Sequence, residues 1–245
     1  MESMYFLPLF ALVAFLYASV GHGGASGYLA LMALTHFAPQ TMKSSALILN
    51  LFVSAIAFYH FYRGGFFRKS LFIPFATTSV PAAFLGAMIP VGDLWYKRIL
   101  GICLLLAAVR ITGFFMKFHD DEKIKEPPTW AGMLSGAVLG LISGMTGIGG
   151  GVLLGPLILL MNWGKVKETA AASALFIFVN SAAGLAGLMV SKPIEMGQSI
   201  SIMMAFSIAG GFAGSRWGAG MAPGVRLRQV LALVLVIAAL KLAFI

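Results

Sequence analysis

The sequence predicts an all-α polytopic membrane protein made of two inverted five-segment repeats, each with a short broken or re-entrant helix after a glycine loop. Three observations carry that reading. Apolar residues make up 60% of the chain and charged residues 10%, with a mean hydropathy of +0.93, whereas soluble domains carry about 25% charged residues. The apolar runs fall into two series of matching order. A glycine cluster breaks each series at the same place, V-G-H-G-G at 20–24 and T-G-I-G-G-G at 146–151.

In chain order, Met4 to Val20 is the first apolar run and ends at the first cluster. A short piece, Tyr28 to Phe37, closes at Ala38-Pro39. Ser44 to Tyr62 is the long third run and stops at Arg63-Gly64-Gly65. Leu71 to Ile89 follows, with Pro74, Pro81 and Pro90 in or beside it, so a kink is expected. Leu94 to Met116 completes a first membrane repeat at 1–116. The charged, Pro-ended stretch 117–129 reads as a cytoplasmic linker. The second repeat, 130–245, runs through Trp130 to Met145, the second cluster, the short Leu153 to Met161, the long Thr169 to Val190, Ser199 to Gly214 and Val225 to Ile245. Leu94–Arg110 aligns without gaps on Val225–Lys241, and Ser79–Gly86 on Ser207–Gly214.

Charge sets the orientation. The net charge of +9 is spread over short loops, which argues for topology signals and against a nucleic-acid partner. Loops 63–69, 117–128, 162–168 and 215–228 hold Arg63, Arg68, Lys69, Lys117, Lys123, Lys125, Lys165, Lys167, Arg216, Arg226 and Arg228. The opposite side holds Lys43, Lys97, Arg98 and Lys192. Basic loops stay cytoplasmic, so both termini are expected in the periplasm. Five plus five segments, inverted, is a topology shared by many secondary transporters.

The short pieces carry the mechanism. About 12 residues at 1.5 Å each span roughly 18 Å, short of the ~30 Å hydrocarbon core. One end of each therefore lies within the membrane. That end follows the glycines, where helix N–H groups and the positive dipole end favour anions. The expected partners are a small anionic substrate and the lipid bilayer, with a homodimer left open and no cofactor or metal required.

Candidate ligands follow from this. Gly21, Gly23, Gly24, Gly147, Gly149, Gly150 and Gly151 read as an anion cradle, or else as close-packing residues. His22 is the one titratable side chain within a glycine loop. As a cation it attracts an anion, as a neutral ring it offers one hydrogen bond, and the alternative is a packed histidine. Asn50 and Asn180 lie in the third segments, with Ser44, Ser45 and Ser173 a turn or two earlier and Thr146 beside the second cluster. Polar groups in hydrocarbon either join helices or face a cavity. Arg110 and Lys241 read as snorkelling cations, Trp95, Trp130, Trp163 and Trp217 as interface anchors, and Cys103 as a packing residue. His36 and His60 read as interfacial and His119 as part of the linker.

The eight acidic residues all fall outside or at the edge of the apolar runs, so carboxylate-based proton coupling is not expected. Coupling would fall to His22 or to backbone carbonyls. An uncoupled anion would leave down an inside-negative potential worth roughly 2.3 kcal/mol per charge per 100 mV. An intramembrane enzyme is disfavoured, since no H-E-x-x-H, intramembrane Asp pair or G-x-S-x-G is present. An anion channel built on the same loops and a subunit of a larger complex remain open.

The paired G-x-G-G clusters, the five-segment halves and the length together resemble the TauE/SafE family of sulfite and organosulfonate exporters, over essentially the whole chain. The first cluster departs from the second at Ala25, where the other has Gly151, and at His22, where the other has Ile148. The resemblance implies transport, most simply export, of small sulfur-containing anions or organic acids across a bacterial inner membrane. It leaves small carboxylates as an alternative substrate.

Overall fold

The computed structural model describes residues 7–34, 39–89, 92, 124–191, 200–222 and 229. The expected last segment of each half, Leu94–Met116 and Val225–Ile245, lies almost wholly outside the described residues, and with it Cys103, Arg110 and Lys241. His36, Trp95 and His119 also lie outside them.

Every regular element among the described residues is a helix. Helix α1 spans Leu7–Ser19, α2 Ala25–Leu34, α3 Pro39–Arg63 and α4 Lys69–Met88. Helix α5 spans Thr129–Thr146, α6 Gly151–Leu160, α7 Val166–Ser191 and α8 Ile200–Arg216, which runs on into a π turn at Trp217–Met221. Helices α3, α4, α5 and α7 are long and apolar enough to cross a membrane. With that composition and no strand among the described residues, the chain is an all-α membrane protein. Helix α4 continues through Pro74 and Pro81 as a single element. The two short helices, α2 and α6, have 10 residues each. Both are shorter than the hydrocarbon core requires.

Packing links the first part of the chain to the second. Helix α1 lies on α8, α4 on α5, and α3 on α7; α4 also touches α7, and α3 touches α8. Exchanging the two halves swaps α1–α8 with α4–α5 and α3–α8 with α4–α7, and returns α3–α7 to itself.

Two of the seams are ladders of glycine at every fourth residue. On α5, Gly132, Gly136, Gly140 and Gly144 face Pro74, Phe75, Ser79 and Ala83 of α4, and a Cβ on any of the last three would strike a carbonyl oxygen. On α8 and its π turn, Gly210, Gly214 and Gly218 face the carbonyls of Ala11, Phe15 and Ser19 on α1. Lipid tails give helices no hydrophobic reason to associate, so backbone contact of this closeness supplies the attraction. Gly140→Leu is therefore expected to force α4 and α5 apart, costing about 1–3 kcal/mol or more by overpacking and lowering the melting temperature in detergent. Gly220→Ala, where a Cβ meets nothing within 4 Å, is the control expected to leave it unchanged.

The four basic loops meet at one end of the bundle. Arg68 donates to Glu126 and to Glu168, each at 3.1 Å. The Lys125 N–H donates to the Asn162 carbonyl at 2.9 Å, and Lys167 Nζ to the Ala219 carbonyl at 3.0 Å. The described parts of these loops, 63–69, 124–128, 162–168 and 215–222, are thereby joined. Partly exposed ion pairs contribute only about 0–1 kcal/mol each, so these contacts register position more than stability. Trp163 departs from the expected interfacial role: it is 5% exposed and its ring packs 5.9 Å from that of Phe75. Its indole joins a buried cluster with Leu71 and Phe75 of α4, Leu154 and Ile158 of α6, and Phe176 of α7. His60 is engaged at Nδ1, 2.8 Å from Ser215 Oγ.

Candidate functional site

Each glycine loop begins where a helix ends. After α1, Gly21 and Gly24 take φ of 76° and 94°; after α5, Gly147, Gly149 and Gly150 take 78°, 82° and 72°. These are left-handed values that side-chain-bearing residues rarely adopt. Gly23 has a different constraint, since a Cβ there would collide with Asn50 Oδ1. The loops meet opposite partners in a matching way. Gly21 abuts the Ala170 carbonyl of α7, and Gly147 abuts Lys43 of α3. Gly23 and Gly149 both face Asn50 and Ile177. Asn50 and Ile177 lie near the middle of the 25-residue α3 and the 26-residue α7, so the loops come together at mid-depth of the bundle.

Asn50 holds the two loops side by side. Its Oδ1 accepts the Ala25 N–H at 3.0 Å, and its Nδ2 donates to the Ile148 carbonyl at 2.9 Å. The residue is fully buried. One amide thus caps the start of α2 and fixes the loop that leads into α6. The first turn of a helix still leaves further N–H groups without intrahelical acceptors, and the two short helices begin at these loops.

His22 is buried at 1% exposure. Its Nδ1 lies 2.9 Å from the Val20 carbonyl. A carbonyl only accepts, so Nδ1 carries the proton. Its Nε2 has no hydrogen-bond partner. The ring stands against Gly155 of α6, where a Cβ would sit 3.4 Å from Nε2 and 3.5 Å from Ser173 Oγ. Ser173 Oγ is likewise buried and unpartnered. Only a glycine fits at 155 without crowding the ring, and it brings the loop histidine and a serine of α7 to the same place on α6.

The other expected ligands divide. Ser45 Oγ is buried and unpartnered. Thr146 donates to the Ile142 carbonyl of its own helix at 2.6 Å, and Ser44 to the Thr41 carbonyl at 3.2 Å. Gly150 and Gly151 pack against Phe176 and Ile177. Asn180 is fully buried with neither amide atom hydrogen-bonded. It is not the counterpart of Asn50, because Ile177 occupies that place across from it. The residue facing the loops is decided by where α3 and α7 cross, and that crossing puts Asn180 a turn away.

Three features were missed from sequence. Ser181 Oγ lies 3.1 Å from where a Gly149 Cβ would be, and Ser143 Cβ lies 3.2 Å from the same point on Gly150; both hydroxyls are buried and unpartnered. With Thr169 and Ser173, Ser181 forms a stripe at every fourth residue of α7, interrupted by Ile177. That spacing was the available signal. Lys43, counted above as a loop cation, belongs to α3, and its Cγ sits 2.9 Å from a Gly147 Cβ position. A buried hydroxyl or amide without a partner costs about 1–3 kcal/mol. Ser143, Ser173 and Ser181 lie beside glycines of the second loop and of α6, so unsatisfied hydroxyls border the segment where a polar ligand is expected.

The family model for the sulfite exporter TauE/SafE matches residues 6–242. The chain belongs to the TauE/SafE family. A protein of Sinorhizobium fredii named "Probable membrane transporter protein y4hK" is 37% identical over 235 residues, covering 95% of each chain. No solved structure matches. As a TauE/SafE protein this chain is a multi-pass membrane transporter, and its polar mid-bundle constellation lies where the two glycine loops join.

Proposed function

We propose that the chain exports small anions, sulfite or organosulfonates, across a bacterial inner membrane, binding them at the paired glycine loops near the membrane midplane. The observation that carries this reading is Asn50 bridging Ala25 N–H and the Ile148 carbonyl, which holds the starts of α2 and α6 together. Helix N-termini favour anions, and the described membrane helices bring no carboxylate to that level. Gly21, His22, Gly23, Gly24, Ser45, Asn50, Thr146, Gly147, Gly149, Gly150, Gly151, Ser173 and Asn180 are the proposed substrate-site residues, with direct contact assigned first to His22 and Ser173. The family description supports export and a sulfur-containing anion. The pairing of α1 with α8 and α4 with α5 supports two repeats of opposite orientation, with both termini outside.

The test is a thermal-shift panel on purified protein with sulfite, thiosulfate, sulfoacetate, methanesulfonate, sulfate, acetate and lactate, followed by flux into or out of liposomes. A bound ligand raises the apparent stability by RT ln(1 + [L]/Kd). Sulfur anions are expected to stabilise and to saturate in flux. Stabilisation by carboxylates alone would replace the substrate class, and flux that never saturates would replace the transporter with a channel.

A further inference from the structure

We infer that anion binding is coupled to protonation of His22: the site takes up one proton at Nε2 for each anion it holds. The inference rests on the anion-site reading and adds its coupling. The geometry at the ring leaves little choice. Nδ1 is committed to the Val20 carbonyl at 2.9 Å as a donor, so in the neutral ring Nε2 is a lone pair and only an acceptor. A buried acceptor without a partner, on the same stretch of α6 as Ser173 Oγ, repels an anion. When Nε2 is protonated the same atom becomes a charged donor, the stronger kind of hydrogen bond for an anion.

Among the described residues the surroundings offer no other group for this role. Gly155 of α6 carries no side chain, Gly151 reaches the ring only through its backbone, and Ser173, Ala170 and Ile177 of α7 and Asn50 of α3 carry no charge. Tyr17 is hydrogen-bonded to Ser26 at 2.7 Å, and the Tyr28 ring packs against Gly24. At the start of α7, Lys167 is held by the Ala219 carbonyl and Glu168 by Arg68. Lys43 of α3 lies against Gly147 in the other loop. That loop has Ile148 where the first has His22, so the pair of loops binds one proton and not two.

The proton comes from water or from the acid form of the anion. In either case an N–H bond forms at Nε2, the donor is left deprotonated, and release of the anion returns the proton. A cycle carrying one monovalent anion with one proton moves no net charge. Direction then follows the anion and proton gradients, and the membrane potential drops out.

The experiment is calorimetric titration of purified protein, in two buffers of different ionisation enthalpy, with methanesulfonate, which itself stays ionised across the range. The expected result is uptake of about one proton per anion and an apparent Kd that rises about tenfold per pH unit once the free ring is neutral. His22→Gln, which keeps a donor but cannot titrate, is expected to bind with no proton uptake and a pH-independent Kd. Binding by the unmodified protein with no proton uptake and a flat pH profile overturns the coupling while leaving the anion site standing. Titratable binding that persists in His22→Gln moves the proton elsewhere and also overturns it. If neither methanesulfonate nor any anion of the panel above binds, the anion-site reading fails, and the coupling with it.

Discussion

Gly149→Val is expected to reduce anion flux in liposomes to background while the protein still inserts and purifies. Gly149 has a φ of 82°, a region in which a β-branched residue is strained by about 1–3 kcal/mol. A Cβ there would also stand 2.8 Å from Ile177 Cγ2 and 2.9 Å from Asn50 Nδ2, so the loop has to move away from the amide that fixes it. The damage falls where the loops meet and not on the glycine ladders, which is why the bundle survives and transport does not. Gly23→Val is the matching experiment on the first loop, where the new side chain would displace Asn50 Oδ1. The measurement is flux normalised to reconstituted protein. Unimpaired flux in both variants would remove the paired loops as the site.

Asn50 gives the second large effect, and its variants separate architecture from charge. Asn50→Leu leaves the Ala25 N–H and the Ile148 carbonyl without partners in a buried place, at about 1–3 kcal/mol each. A clear fall in melting temperature and a severe loss of flux are expected together. Asn50→Asp retains an acceptor for Ala25 but loses the donor to Ile148, and it sets a carboxylate between the loops. Its stability is expected to match or exceed that of the leucine variant, while its anion binding is the poorer of the two. Anion affinity undiminished in Asn50→Asp would show that no anion sits beside this residue.

Much of this was legible from the sequence, for a physical reason. In a membrane chain, apolar runs and their breaks are imposed by the solvent, so the glycine clusters, the short helices and the basic loops stand out without any knowledge of packing. That the basic loops share one end of the bundle could be read too, and Arg68, Glu126, Glu168 and Lys167 meet there. What could not be read is which face of a uniformly apolar helix looks inward. Asn50 and Asn180 look like equivalents by segment, yet one joins both loops and the other joins nothing. That difference arises from the crossing of α3 and α7. The four-residue glycine spacing on α5 was visible in the sequence, but its partner α4 was not. His22 was identifiable as titratable, whereas the orientation of its ring depends on the Val20 carbonyl, a backbone atom with no signature in composition.

The seam between α1 and α8 has a consequence for how the molecule is made. The backbone of α1 at Ala11, Phe15 and Ser19 is completed by Gly210, Gly214 and Gly218, which emerge roughly 200 residues later, about 10–40 s at ordinary rates of synthesis. Helices α4 and α5, much nearer in the chain, can meet after about 3–12 s on the same scale. On this scale the seam between α4 and α5 can close well before the seam between α1 and α8, although α1 precedes both α4 and α5 in the chain.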